Sequence, residues 1–319
     1  MMNLLLFVLC LVTINPSHSV DGVQDTLKED LEFDRQLKLI NKPPIKSIQT
    51  KFGYIVDCID IKKQPAFDHP LLKNHKLQRK PSFQKSNEKA SLKNSPDGIL
   101  LGLEKDECPE GTVPIRRTTK DDLIRTKSLN HSMLVESLMQ SVPGLHIDNF
   151  KKTGCINMLC PGFVQVSKGT YLGLRINQTS IYGGPSYEYP ISITQDESSK
   201  NWWLVMGNVP FGYYPKELFS NLTSAERVGF GGRTRTAPNT PSPQMGSGYF
   251  PDSHHTSHAC YFREIRYHNA SRIDLGPKDY GIDTFTDNSN CFGVEYRGDL
   301  YGGIEYISQF GGPGGNCGI

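Results

Sequence analysis

The chain has 319 residues, with 35 Lys plus Arg against 33 Asp plus Glu and a formal net charge of +2. This near-balance supplies no strong field for nucleic acid or an anionic lipid surface, so both partner classes are set aside. Thirty Gly, 21 Pro and a 10% aromatic share beside only 37% hydrophobic residues favour short strands joined by turns over a helical bundle.

Residues 1–19 carry an apolar run from Leu4 to Val12, then Ser17, His18 and Ser19, small residues where a signal peptidase reads. Nine apolar residues are too few to cross a hydrocarbon core. A cleaved signal peptide follows, with a secreted product and no membrane attachment afterwards. Removing it leaves Cys58, Cys108, Cys155, Cys160, Cys260, Cys291 and Cys317, which an oxidising compartment pairs with one thiol left over. Sequons at Asn130, Asn177, Asn221 and Asn269 fit the same route and predict glycosylated loops.

From Asp25 to Ile40, the spacing of Leu27, Leu31, Leu37 and Ile40 predicts an amphipathic helix, with Asp25 as N-cap and Pro43-Pro44 as the stop. Ile45 to Asp60 is rich in β-branched and aromatic residues and predicts one or two strands around Cys58. Residues 75–97 turn to Lys, Ser, Asn and Pro with almost no aliphatic side chains, which predicts a mobile, cleavable linker. Val113 to Arg117 reads as a strand, and Thr119 with Asp122 as a capping box opening a helix from Lys120 toward Gln140.

Beyond Cys155, short apolar runs alternate with turn residues: Gly162 to Val164, Tyr171-Leu172, Tyr189 to Ile193, Trp202 to Met206, Tyr261 to Tyr267 and Tyr296 to Phe310. This pattern predicts a mainly β chain, an antiparallel β-sandwich preceded by a small α+β module. The five-residue step from Cys155 to Cys160 suits a local disulfide; a metal site is the alternative, disfavoured by the oxidising compartment. The glycines at 231–232 and 311–315 read as turns or bulges, since no helix and Lys follow them as a phosphate loop requires. His254, His255 and His258 read as a solvated loop, because third and fourth metal ligands are not evident in sequence.

The run from Lys42 through Tyr54 and Cys58 to Gln64, Pro65, His69 and Leu72 resembles the activation peptide of the plant neprosin family. The second half resembles the neprosin domain, at Thr153 to Phe163, Asn201-Trp202-Trp203, Gly212 to Pro215, Gln244 to Pro251, Tyr301 to Gly303 and Gly311 to Gly314. The resemblance implies a secreted propeptide-bearing enzyme, found outside the cell, in the wall or in a vacuole. It also implies cleavage beside proline at acid pH by a pair of glutamates, with proline-containing peptides or proteins as substrates and no metal or cofactor. It divides the chain into a signal at 1–19, an activation-peptide-like part at 20–145 and a neprosin-like part at 146–319, and it pairs Cys291 with Cys317. Cys58 with Cys108 is the expected pair of the leader, which makes Cys260 the orphan. A catalytic thiol at Cys260, with His258 nearby in sequence, is the minor alternative.

Two carboxyl groups hydrolyse an amide when one is ionised to activate water and the other protonated to assist the carbonyl or leaving nitrogen. Two departures from the family bear on that pair. The region holding its first catalytic Glu and several strands is absent between Gly144 and Lys152, which leaves the predicted sandwich incomplete. The second Glu, which follows a Gly-Gly pair, aligns with Arg233 in Phe230-Gly231-Gly232-Arg233. A guanidinium is neither base nor proton donor at any relevant pH. The expectation is an inactive relative, with the catalytic position none intact. Substitute carboxylates at Glu188, Glu226 or Glu295 are one alternative, a non-catalytic wall- or proline-binding protein another, and a non-folding truncation product a third. Trp202, Trp203, Tyr213 and Tyr214 are the expected flat walls for a proline ring, against the plainer reading of core packing.

Overall fold

The computed structural model describes residues 20–83, 102–103, 107–127, 162–176, 179–219, 228–232, 234, 236, 240–278, 281–299 and 306–317. The first element is α1 (Val20–Ile40). It begins before Asp25, so that residue is not its N-cap, and its buried stripe keeps Leu37 and Ile40 of the predicted set but not Leu31. Leu31 is 61% exposed, whereas Phe33 is 3% exposed and Leu37 and Ile40 are half-buried. The spacing 33, 37, 40 still follows a helical face. Asn41 closes the helix: its amide donates to the Leu37 carbonyl, and its side chain both donates to the Thr118 carbonyl and accepts from the Thr118 amide, each at 2.9 Å.

The strands β1 (Lys46–Gln49), β2 (Ile55–Asp60) and β3 (Thr112–Arg116) form an antiparallel sheet with β2 in the centre. Its position between two neighbours explains why Val56, Asp57, Cys58 and Ile59 are all buried. The buried Asp57 carboxylate is matched by Arg117, at 2.6 and 2.7 Å, and by the Ser47 hydroxyl at 2.7 Å. The helix α2 (Lys120–Lys127) starts on the predicted box, with the Thr119 amide donating to Asp122 at 2.8 Å and the Asp122 amide to the Thr119 hydroxyl at 3.2 Å. Its continuation toward Gln140 lies outside the described residues.

The second half is built from β4 (Val164–Gln165), β5 (Ile191–Gln195), β6 (Trp202–Met206) and β7 (Val209–Tyr214), in the order β4-β7-β6-β5. All pairings are antiparallel. A register shift at Leu204/Val205 leaves Phe211 as an extra residue of β7, a bulge that brings both Phe211 and Tyr214 to the same apolar cluster. Gly212 lets β4 approach, since a Cβ there would stand 2.2 Å from the Val164 carbonyl oxygen. The predicted strand at Tyr171-Leu172 is instead a buried turn.

A second sheet joins β8 (Cys260–Phe262), β11 (Gly293–Tyr296) and β12 (Ser308–Gly311) in the order β11-β12-β8, with the small ribbon β9 (Tyr267–His268) and β10 (Asp274–Leu275) beside it. The protein is therefore mainly β with antiparallel sheets behind a small α+β module. Among the described residues no helix is long and apolar enough to cross a membrane.

The α+β module is clamped on the first sheet. Val56, with Tyr54 beside it, enters the cluster of Phe163, Tyr171, Leu172, Leu204, Met206, Phe211 and Tyr214. The Tyr54 and Tyr171 hydroxyls meet at 3.0 Å. β4 lies at the sheet edge, and the fully buried Gln64 covers it: its Oε1 accepts the Gln165 amide at 2.7 Å and its Nε2 donates to the Gln165 carbonyl at 3.1 Å. A side-chain amide thus takes the place of a neighbouring strand. Gln64→Leu leaves those two backbone groups buried without partners and is expected to cost about 3 kcal/mol, measurable by urea denaturation; an unchanged midpoint would remove this role.

The disulfide Cys58–Cys108 forms as expected and spans the stretch proposed for cleavage. A protease cut between 84 and 97 should therefore give one band on a non-reducing gel and two after reduction, whereas two bands without reductant would place the bond elsewhere.

Candidate functional site

The segment from Pro65 to Phe83 runs across the first sheet and lies over its aromatic residues. Ala66, Phe67 and Leu77 pack on Val164, Trp203 and Tyr213. The His75 imidazole touches the Tyr213 hydroxyl at 2.9 Å through Nε2 and Glu217 at 3.2 Å through Nδ1, while the Gln78 amide donates to the same hydroxyl at 2.9 Å. Burial pushes the Tyr213 phenol up to about 12, against the lowering effect of the Gln78 amide. The hydroxyl therefore stays protonated over the working range of a protein and can accept from Gln78 while engaging His75.

Residues 75–83, assigned by composition to the linker, are thus a packed strap. Residues 84–97 lie outside the described residues. The end of the strap is fixed by Asp196 in the β5–β6 hairpin, a fully buried carboxylate. Its Oδ1 accepts from the Ser198 and Ser199 amides at 3.0 and 2.9 Å and from the Ser198 hydroxyl at 2.8 Å. Its Oδ2 accepts from the Ser82 amide and, at 3.3 Å, from the Gln78 side chain. Burial alone would raise this carboxyl, but the Ser199 and Ser82 amides and the Ser198 hydroxyl outweigh it and hold it well below the usual range.

Of the four predicted cleft rings, Trp203, Tyr213 and Tyr214 are buried and Trp202 is half-buried. They do not form open walls: Trp203 and Tyr213 lie under the strap, and Tyr214 packs edge-on against Phe163 at 5.1 Å. Side chains at 203 and 213 pair across β6 and β7 and share one face of the sheet, whereas 202 and 214 share the other. This sidedness is a matter of register and was not visible in the Trp-Trp and Tyr-Tyr dipeptides.

A different aromatic row adjoins Gly232, the residue before Arg233. Arg233 itself lies outside the described residues, but a Cβ on its neighbour Gly232 would stand 2.5 Å from both the Met245 sulfur and the Phe310 ring. Phe310 stacks on Phe262 at 5.1 Å, and Phe262 meets Phe230 at 5.6 Å. These three Phe residues were missed by sequence reasoning. The signal that could have found two of them is proximity: Phe230 precedes the Gly-Gly pair and Phe310 precedes the closing glycines.

The substitute carboxylates are engaged where they are described. Glu188 accepts from the Tyr261 hydroxyl at 2.5 Å and from Arg263 at 2.6 Å, and Glu295 pairs with Arg297 at 3.2 Å. Glu295, Gln309 and Tyr261 are opposite one another across β11, β12 and β8. Two strand spacings, about 9.6 Å, therefore separate the Glu295 backbone from that of the residue holding Glu188. Glu226 lies outside the described residues.

Cys291–Cys317 forms as expected, and Cys260 is a free thiol. Burial raises the Cys260 thiol, opposed by the Ser247 amide, which is the reverse of what a reactive thiolate requires. His258 turns instead to Asp252, at 3.1 Å. Cys155, Cys160, Asn130, Asn177 and Asn221 lie outside the described residues. Asn269 is half-buried, its side-chain oxygen accepting the Ser271 and Ile273 amides, both at 2.9 Å.

This arrangement defines a two-part protein, an α+β leader module seated on the edge and face of a mainly antiparallel β domain. The Neprosin family model matches residues 137–313, more than half the chain, and the Neprosin activation peptide model matches residues 47–141. The chain belongs to the neprosin family, a family of peptidases.

The Asp196 anchor carries a test with a defined sign. Because its folded pKa is depressed below the ordinary 3.8, its contribution is present above that value and fades as pH falls through the lower folded pKa. Asp196→Asn should cost about 1–2 kcal/mol at pH 7 and flatten the decline in stability below pH 4. Parallel thermal-melt profiles for variant and parent would dismiss the anchor.

Proposed function

We propose that this chain is a secreted, non-catalytic neprosin-like protein that binds proline-containing chains and does not cleave them. The observation carrying the proposal is the side chain at the second acidic position, where Phe230-Gly231-Gly232 leads into Arg233. Hydrolysis by a carboxyl pair requires one group that takes a proton from water and one that supplies a proton to the amide. Arginine keeps its proton and does neither. It does bind a carboxylate, so a peptide's C-terminal or acidic group remains a suitable partner.

The described acids are engaged elsewhere: Glu188 is paired with Arg263 and Glu295 with Arg297. The row Phe230, Phe262 and Phe310 supplies flat apolar surface beside Gly232, suited to a proline ring. Secretion is supported by the apolar stretch at Leu4–Val12 and by two disulfides.

The deciding measurement is an acid-treated sample of the purified full chain incubated with a proline-containing peptide. No cleavage above buffer is expected, with retention of the peptide on immobilised protein. Cleavage that disappears in Glu188→Gln or Glu295→Gln would overturn the reading and establish a substitute carboxylate.

A further inference from the structure

Three side chains outside the aromatic row converge at the end of β8. His255 precedes, and His258 closes, a single 3-10 turn at Thr256–His258. Residues three apart on such a turn lie one above the other, and the two imidazoles accordingly stack at 4.3 Å with 17° between their planes. Both direct Nδ1 at one oxygen, Oδ2 of Asp252, at 3.1 Å each. All three donor atoms lie within 4.8 Å of one another.

The turn carrying these groups is fixed from behind. Gln309 of β12 is fully buried, and its Nε2 donates to the carbonyls of His255 at 3.1 Å and Thr256 at 3.0 Å. The Ser247 hydroxyl donates to the His258 carbonyl at 2.6 Å, and Arg297 donates to the Ser253 carbonyl at 2.7 Å. The Asp252 carboxylate is oriented by the His254 amide at 2.8 Å. On the open side, the Tyr182 ring stacks on His258 at 4.5 Å, and its hydroxyl stands 3.3 Å from His258 Nδ1. Backbone, carboxylate and one ring are thereby positioned independently of any bound ion, the condition under which three side chains act as one ligand set.

We propose that Asp252, His255 and His258 form a binding site for a late first-row divalent transition ion, of which Zn²⁺ is the representative. Two imidazole nitrogens and one carboxylate oxygen are the donor set such ions accept. Ligand atoms about 2.0–2.2 Å from the metal stand about 2.8–3.6 Å from one another in octahedral or tetrahedral coordination, a range that the two carboxylate–imidazole separations of 3.1 Å meet; because the ion must lie in the plane of each ring, the exposed His255 ring turns out of its stack on His258 on binding. Binding requires each Nδ1 to present its lone pair, with the ring proton carried on Nε2. Three protein ligands leave further coordination positions toward solvent, where His255 is exposed. His254, which only lends its backbone amide to Asp252, is not a ligand.

The test is calorimetric titration of the metal-free full chain with ZnCl₂, together with the visible absorption of Co²⁺ as a reporter of nitrogen and oxygen ligation. One saturable ion per chain is expected, weakened about tenfold or more by His255→Gln, His258→Gln or Asp252→Asn and unchanged by His254→Gln. Asp252→Asn preserves side-chain shape and keeps the test open if a histidine variant does not fold. Absence of saturable binding, or equal binding by the doubly substituted His255→Gln, His258→Gln chain, would overturn the assignment.

Discussion

A sheet with an open edge must pair that edge or cover it, and in this chain the cover comes from the leader module. The strand β4 is two residues long and has β7 on one side only. Gln64 supplies the other side with one donor and one acceptor from a single side chain. From this clamp the chain continues through Ala66 and Phe67 to His75, Gln78 and Ser82, and the sheet's buried aromatic face is closed along the way. The other side of the sheet takes Tyr54 and Val56 from the same module. Edge and both faces thus depend on residues that precede the β domain in sequence. The leader is part of the domain's folding unit.

This dependence separates two questions that sequence comparison joins. Family membership rests on matches that run through both parts of the chain, residues 47–141 and 137–313. Catalysis rests on side chains that exchange protons with the substrate, which packing alone does not supply. Asp196 illustrates the difference. It is a buried carboxylate of depressed pKa, yet its oxygens are occupied by serine amides and hydroxyls and by the strap, so it anchors structure.

The aromatic residues show how far a sequence can be read. Trp202 and Trp203 announce a strand by their size and neighbours, and β6 spans the predicted residues. Which ring faces the strap depends on pairing with β7, and β7 contains a bulge at Phe211 that changes the alternation. The row of Phe230, Phe262 and Phe310 gathers residues from three distant stretches, so no local pattern marks it. The histidine run was legible as a cluster. Its third member, Asp252, belongs to the preceding turn and was recognisable only once His255 and His258 were placed on one side of a 3-10 turn.

The sequence by itself determined the family, the mainly β character, the Thr119–Asp122 cap, the Cys291–Cys317 pair that the family pattern suggested and the Cys58–Cys108 pair expected of the leader. These follow from local residue chemistry or from motifs carried in short stretches. Tertiary structure decided that residues 75–83 pack, that Leu31 faces solvent while Phe33 is buried, and that Trp203 and Tyr213 lie beneath the leader. The physical reason is that composition fixes what a segment can bury on its own, whereas partners distant in the chain supply the contacts that hold it in place, more than a hundred residues away for the strap and at Lys120 for Phe33.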